Sequence, residues 1–153
     1  MKTRVVMFGR GNAIMLSRFP GWMCATGGNT MGTLVGFGSL ANIPEEKITD
    51  SITRRVLSGE KCMMVSWNIK SGTHAAAHSH PHEQIVWMIK GKCEARVSTE
   101  RRILNAGDVA VIAGGVEHEL WFQEDTELVD IFAPPREDFL AGGEPTWLQK
   151  ENR

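Results

Sequence analysis

The sequence lacks an excess of either charge: over 153 residues, 17 Lys and Arg stand against 18 Asp and Glu, leaving a net charge of -1. No basic block stands out, so the electrostatic footprint of a nucleic-acid binder is missing and DNA and RNA are not expected partners. Long apolar runs are also lacking. Nothing approaches the ~20 residues of a membrane span, and the run from Val5 to Phe8 stops at Gly9 and Arg10, too short for a secretory signal core. Cysteine is scarce and odd in number. Cys24, Cys62 and Cys93 are widely spaced with no Cys-x-x-Cys, which excludes a disulfide framework or zinc knuckle and suits a reducing cytoplasm. None has a histidine close by in sequence, so each reads as a small buried hydrophobe before a nucleophile.

What is present is a chain that should fold. Hydrophobic residues at 42% and charged residues at 23% lie near the globular average, and the length suits one domain with a real core. Residues 1–42 read as a Gly-rich N-terminal arm of unassigned structure, since eight of the 16 glycines fall before residue 40 without a sustained period. Gly9-Arg10-Gly11 lacks the third glycine of a dinucleotide fingerprint. The methionines at 7, 15, 23 and 31 leave open a translation start inside the arm. From Ile43, Pro44-Glu45-Glu46 reads as the first turn of a short helix.

Short strands follow, at roughly 61–70, 73–80, 84–90, 92–98, 101–104, 108–113, 117–123 and 126–133, separated by turn residues such as Gly72, Pro81, Gly91 and Gly114-Gly115. Evenly spaced strands with no long helix between them predict an all-β antiparallel sandwich or barrel over 43–140 and exclude a parallel α/β fold. Strands 84–90 and 126–133 carry apolar residues on both faces, which predicts that the outer surface is covered by a second sheet or a partner subunit, and hence a homodimer. Residues 141–153 read as a loosely held C-terminal tail after an ordered turn beginning at Arg136.

The informative feature is a small count. Of five histidines, His74, His78, His80 and His82 fall within nine residues and His118 stands apart. His78 and His80 leave the same face of a strand with alpha carbons ~7 Å apart, a spacing suited to chelation. Gln84 offers a carbonyl oxygen four residues on, and His118 can close the set from across the barrel. His82 follows Pro81 and reads as a rim residue rather than a ligand. Glu83 has the wrong parity and reads as solvent-facing or as support for a ligand. His74 is placed at the pocket mouth or in solvent.

Two spacings carry a resemblance. Gly72, five residues, His78-Ser79-His80, three residues, Gln84, six residues, Gly91 resembles the first cupin motif, with Gln84 where Glu is usual. Gly107, five residues, Ala113, one residue, Gly115, two residues, His118 resembles the second, with Ala113 for the usual Pro and Phe122 for the usual Asn. The resemblance implies a double-stranded β-helix, the jelly-roll barrel of the cupin superfamily, with His78, His80, Gln84 and His118 on a divalent transition metal.

Exchanging Glu for Gln leaves the ion its full charge of about +2. That favours polarisation of a carbonyl or hydroxyl by a redox-silent ion such as Zn²⁺, with Ni²⁺, Mn²⁺ and Fe²⁺ still open. A narrower resemblance joins His78 to Ile85 with the segment Asp130 to Phe139: it is similar to the pectin-degradation cupins that linearise 4,5-unsaturated monouronates. It implies a small anionic substrate, with the roles of Asp, Phe and Arg falling on Asp130, Phe132 and Arg136. Three alternatives stay open: a structural Asp130–Arg136 ion pair with Phe132 as core, an Fe²⁺ dioxygenase, and a cupin that binds or senses a small molecule without turnover.

Overall fold

The computed structural model describes residues 32–33 and 36–148. Most of the Gly-rich arm, with Cys24 and Gly9-Arg10-Gly11, lies outside them. The strands are β1 (Gly32–Thr33), β2 (Glu46–Thr49), β3 (Ile52–Ser58), β4 (Met63–Ile69), β5 (His74–His78), β6 (Glu83–Lys90), β7 (Lys92–Val97), β8 (Glu100–Asn105), β9 (Val109–Ile112), β10 (His118–Phe122) and β11 (Thr126–Ala133), followed by the short helix α1 (Glu137–Leu140). A 7-stranded sheet runs β1-β3-β4-β11-β6-β9, with β2 added on β3, and faces a 4-stranded sheet ordered β5-β10-β7-β8. All pairings are antiparallel except β1 with β3. This is the expected all-β jelly-roll barrel. Among the described residues no helix is long and apolar enough to cross a membrane.

Period-two alternation builds the interior. Met63, Val65, Trp67 and Ile69 of β4 point inward, as do Val86 and Met88 of β6 and Leu128 and Phe132 of β11. Cys93 is buried among them as the small hydrophobe expected, its thiol pushed up to about 12 by burial, whereas Cys62 is exposed.

Two segments differ from expectation. The helical turn at Pro44-Glu45-Glu46 is absent: a single 3-10 turn, Leu40–Asn42, precedes it, and Glu46 begins β2. The two acids that resemble a helix start instead pair across to β3, Glu45 with Arg55 and Glu46 with Arg54, each at 2.7 Å. The second segment is the C-terminal one. Residues 141–148 fold back on the barrel, Arg54 Nη2 donating to the Gly143 carbonyl at 3.0 Å while Trp147 enters the core.

The outer face of the large sheet is also apolar over β6, β9 and the neighbouring part of β11, although Arg55, Ser66 and Asn68 lie on the same face at β3 and β4. In register across it lie Leu57, Met64, Ile131, Ile85 and Val111, and beside them Val129, Trp87 and Val109. Trp87 is 47% exposed, Val109 60% and Val111 64%.

Candidate functional site

The site lies at the end of the barrel where β5, β10, β6 and β11 bring their inward positions together. His78 ends β5, His118 begins β10, and the two are partners across that pairing. His80 sits two residues beyond β5 in a turn held by the Gly115 N–H, which donates to the His80 carbonyl at 2.8 Å. Gly114 packs so closely on this turn that a Cβ would run into the Pro81 carbonyl, so the turn that aims His80 needs a glycine there. Gln84 on β6 and Phe132 on β11 face one another across their strands, and Asp130 lies one inward position further along β11.

Each metal-candidate imidazole has its Nδ1 against a backbone carbonyl: His78 with Ala76 at 2.8 Å, His80 with His82 at 3.1 Å, and His118 with Val116 at 2.9 Å. A carbonyl only accepts, so Nδ1 carries the hydrogen in all three rings and the Nε2 lone pairs are left for a ligand. The rings are close, with His118 centred 4.2 Å from His78 and 5.0 Å from His80. One ligand nitrogen from each lies within 4.8 Å of the others. His118 Nε2 is buried without a hydrogen-bond partner among the described residues. Gln84 Oε1 is 3.0 Å from His80 Nε2, so two acceptors face each other. A cation between them satisfies both, and the donor set of three imidazoles and one amide oxygen fits a divalent ion.

Electrostatics keep these rings neutral, as metal ligation requires. Burial pushes His78 down to about 3, assisted by His118, and pushes His80 down to about 4, assisted by the Arg136 charge. His118 is lowered mainly by burial as well.

Asp130 behaves in the opposite sense. Its burial raises its pKa to about 6 against the pull of Gln84, the Trp67 donor and Arg136. Trp67 Nε1 donates to Asp130 Oδ2 at 2.9 Å, while Oδ1 is buried without a partner of hydrogen-bond geometry among the described residues.

Arg136 makes its ion pair with Asp138, not with Asp130: Nε reaches Oδ1 at 3.1 Å and Nη2 reaches Oδ2 at 2.6 Å. Phe132 borders the site, its ring 5.5 Å from that of His80 and edge-on to Phe139 at 5.9 Å. Asp130, Phe132, Arg136, His78, Gln84 and His118 all line one cavity of about 430 Å³, counted with its open mouth. Its lining also includes the apolar side chains of Leu120, Phe122 and Leu128.

The other histidines separate from this set. His82 lies beside His80 at 5.6 Å between ring centres but outside the converging trio. Glu83 is exposed. His74 is not at the cavity mouth: it sits in the small sheet opposite Trp121, stacks on that ring at 5.2 Å and meets Glu119 at 2.8 Å. Sequence reasoning missed Trp67, Asp138, Phe139 and Trp147 around the cavity. Asp138 and Phe139 both lay within the segment recognised after the last strand, Asp138 two residues after Arg136, where a carboxylate can reach back to a guanidinium.

Comparison with known proteins agrees with this architecture. A family model described as a cupin domain matches residues 65–132. The chain is 32% identical over 100 residues to the pectin degradation protein KdgF of Dickeya dadantii, a match spanning 63% of this chain and 91% of that protein. The structure of KdgF from Halomonas superposes with a TM-score of 0.64 at 25% identity, covering 68% of this chain and 99% of that one. An RmlC-like cupin from Shewanella frigidimarina superposes with the same TM-score of 0.64 at 27% identity, covering 67% and 94%. The two motif spacings, the two facing sheets and this shared sequence lead to one conclusion: the chain belongs to the cupin family and resembles KdgF.

Proposed function

We propose that the protein is a metal-dependent enzyme that linearises 4,5-unsaturated uronates formed in pectin breakdown. The observation that carries this reading is a single cavity that presents a buried carboxyl, Asp130, and a guanidinium, Arg136, to the side chains of His78, Gln84 and His118. The similarity to KdgF, a pectin degradation protein, supports it.

A divalent ion bound by His78, His80, His118 and Gln84, Zn²⁺ being favoured because the reaction involves no oxidation, supplies Lewis-acid polarisation of a substrate oxygen. Arg136 binds the substrate carboxylate through paired N–H groups. Phe132 packs against the sugar ring. Asp130, with its pKa near 6, takes the proton of the C1 hydroxyl as the bond from C1 to the ring oxygen breaks, and delivers it to C4. C1 then carries an aldehyde and C5 a ketone, so the product is an isomer of the substrate and no oxidant is consumed. The apolar wall of the cavity limits water around the transferring proton.

NMR of substrate and product tests the reaction: metal-loaded protein should give the open-chain ketone from unsaturated galacturonate faster than buffer. Oxygen consumption during turnover, or binding of the sugar with no conversion, would instead mark a dioxygenase or a sensor.

The same reading includes a homodimer, cytoplasmic in setting, formed over the outer face of the large sheet. The cross-strand rows of Ile85, Val111 and Ile131 with Trp87, Val109 and Val129 make a contiguous apolar surface of the kind monomers seldom leave to water.

A further inference from the structure

Arg136 is held more completely than a substrate clamp alone requires. It is 3% exposed although it lies just after the last strand. One guanidinium edge is occupied, with Nε and one hydrogen of Nη2 on the two oxygens of Asp138 at 3.1 and 2.6 Å. The plane is packed too: Cζ lies 4.0 Å from the centre of the Phe139 ring and 5.3 Å from that of Phe132. What remains are the hydrogens of Nη1 and the second of Nη2, which together form the other bidentate edge, and no acceptor among the described residues bonds Nη1. Arg136 lines the cavity, and its charge acts on His78, His80 and His118 across it.

Asp138 is suited to this hold. Partial burial raises its carboxyl, but the Arg136 guanidinium and backbone N–H groups more than offset that, and the group lies below the usual carboxylate range. Its side chain is 39% exposed, so the pair sits at the edge of the cavity with the carboxylate on the solvent side.

From these contacts we infer that Asp138 is a positioning residue: it fixes one edge of Arg136 so that the other edge is presented, already oriented, to the carboxylate of a uronate. The inference rests on the function proposed above and adds the device that sets its selectivity for a planar carboxylate. A guanidinium with one edge fixed loses little freedom on binding, so the effect belongs in substrate affinity rather than in the chemical step.

The test uses full-length, metal-loaded protein with two measurements, turnover of unsaturated galacturonate and calorimetric binding of saturated galacturonate, which cannot react at C4. Asp138→Asn keeps an oxygen able to accept from the backbone of α1, so it guards against loss of the turn, and Asp138→Ala removes both roles. In each variant KM and the galacturonate Kd should rise by about tenfold, the worth of a lost charge-assisted bond, while kcat stays within about twofold. In the ¹⁵N spectrum, the Arg136 Nε–H signal, assigned by its loss in Arg136→Lys, should be protected from exchange in the wild type and lose that protection in both variants. A fall in kcat at constant KM, or Kd values equal to wild type with Nε–H still protected, would overturn the inference. If binding depends on Arg136 but not on Asp138, the inference alone fails. If the wild type binds no galacturonate, the proposed function fails and takes the inference with it.

Discussion

Trp67 and Asp130, on the neighbouring strands β4 and β11, are joined inside the barrel by one hydrogen bond, Nε1–H to Oδ2 at 2.9 Å. Among the described residues it is the one hydrogen bond of full geometry to a carboxyl on which Gln84 and Arg136 also pull. Trp67→Phe keeps most of the ring and removes the donor. The Asp130 pKa should therefore rise further above 6, and the protein should lose about 1.5–3 kcal/mol of stability at neutral pH, the range for a bond to a charged group. Urea denaturation and the pH dependence of turnover measure the two effects. Unchanged values in both would show that Trp67 only fills space.

His118→Ala removes the ring that closes the converging trio. Metal content after purification and dialysis should fall from about one per chain to a trace, because loss of a ligand costs more than the roughly 10–100-fold that loss of a supporting partner costs. Elemental analysis of wild type and variant side by side measures it. His74→Ala, on the outer side of the small sheet, should leave the content unchanged.

Acidification should destabilise the metal-free protein from about pH 6.5 downward. The unfolded chain protonates its histidines near 6.5, while the folded state holds His78 neutral to about 3, His80 to about 4, and His118 below its ordinary value. Protons therefore favour unfolding through that window. Asp130 acts the other way: its folded pKa near 6 lies above the ordinary value of 3.8, so its protonation favours the fold as pH falls between those values. Three depressed histidines outweigh one raised carboxyl, and thermal melts of chelator-treated protein should show Tm falling from pH 6.5 toward 4. A Tm that rises over this range would contradict the burial of the trio.

Trp87→Asp and Val111→Asp place charges in the middle of the outer apolar rows, 47% and 64% exposed in the single chain. Sedimentation should report about twice the chain mass for the wild type at micromolar concentration and the single-chain mass for both variants. A monomeric wild type would remove the dimer from the account.

The eight strands from β4 to β11 were legible because turn residues punctuate them at even spacing with no long helix between them. His78 and His80 were legible as a pair two residues apart, and His118 through the spacing of the second motif; the expected strand over 73–80 ends at His78, however, and His80 converges on the trio from the turn beyond β5. β2 and β3 were not. Pro44-Glu45-Glu46 has the chemistry of a helix start, and its acids are used instead in ion pairs with Arg54 and Arg55, which no local pattern announces. Arg54 itself points inward at 1% exposure, which spoils the polar-out alternation by which β3 could be recognised. Partners such as Trp67 and Asp130, 63 residues apart, meet only through sheet pairing. Trp147, a lone aromatic in a Gly- and Pro-containing tail, gave no sign that it enters the core.

The central claim is that Asp130 transfers a proton to a uronate in this cavity. The most direct measurement is the rate at which metal-loaded protein removes the conjugated enol-ether absorbance of unsaturated galacturonate, compared with Asp130→Asn carrying the same amount of metal. The wild type should exceed the uncatalysed rate, and the variant should lose at least about a hundredfold of that rate, the lower end for a general acid or base. A wild-type rate equal to the uncatalysed one, or a variant as fast as the wild type, would contradict the account.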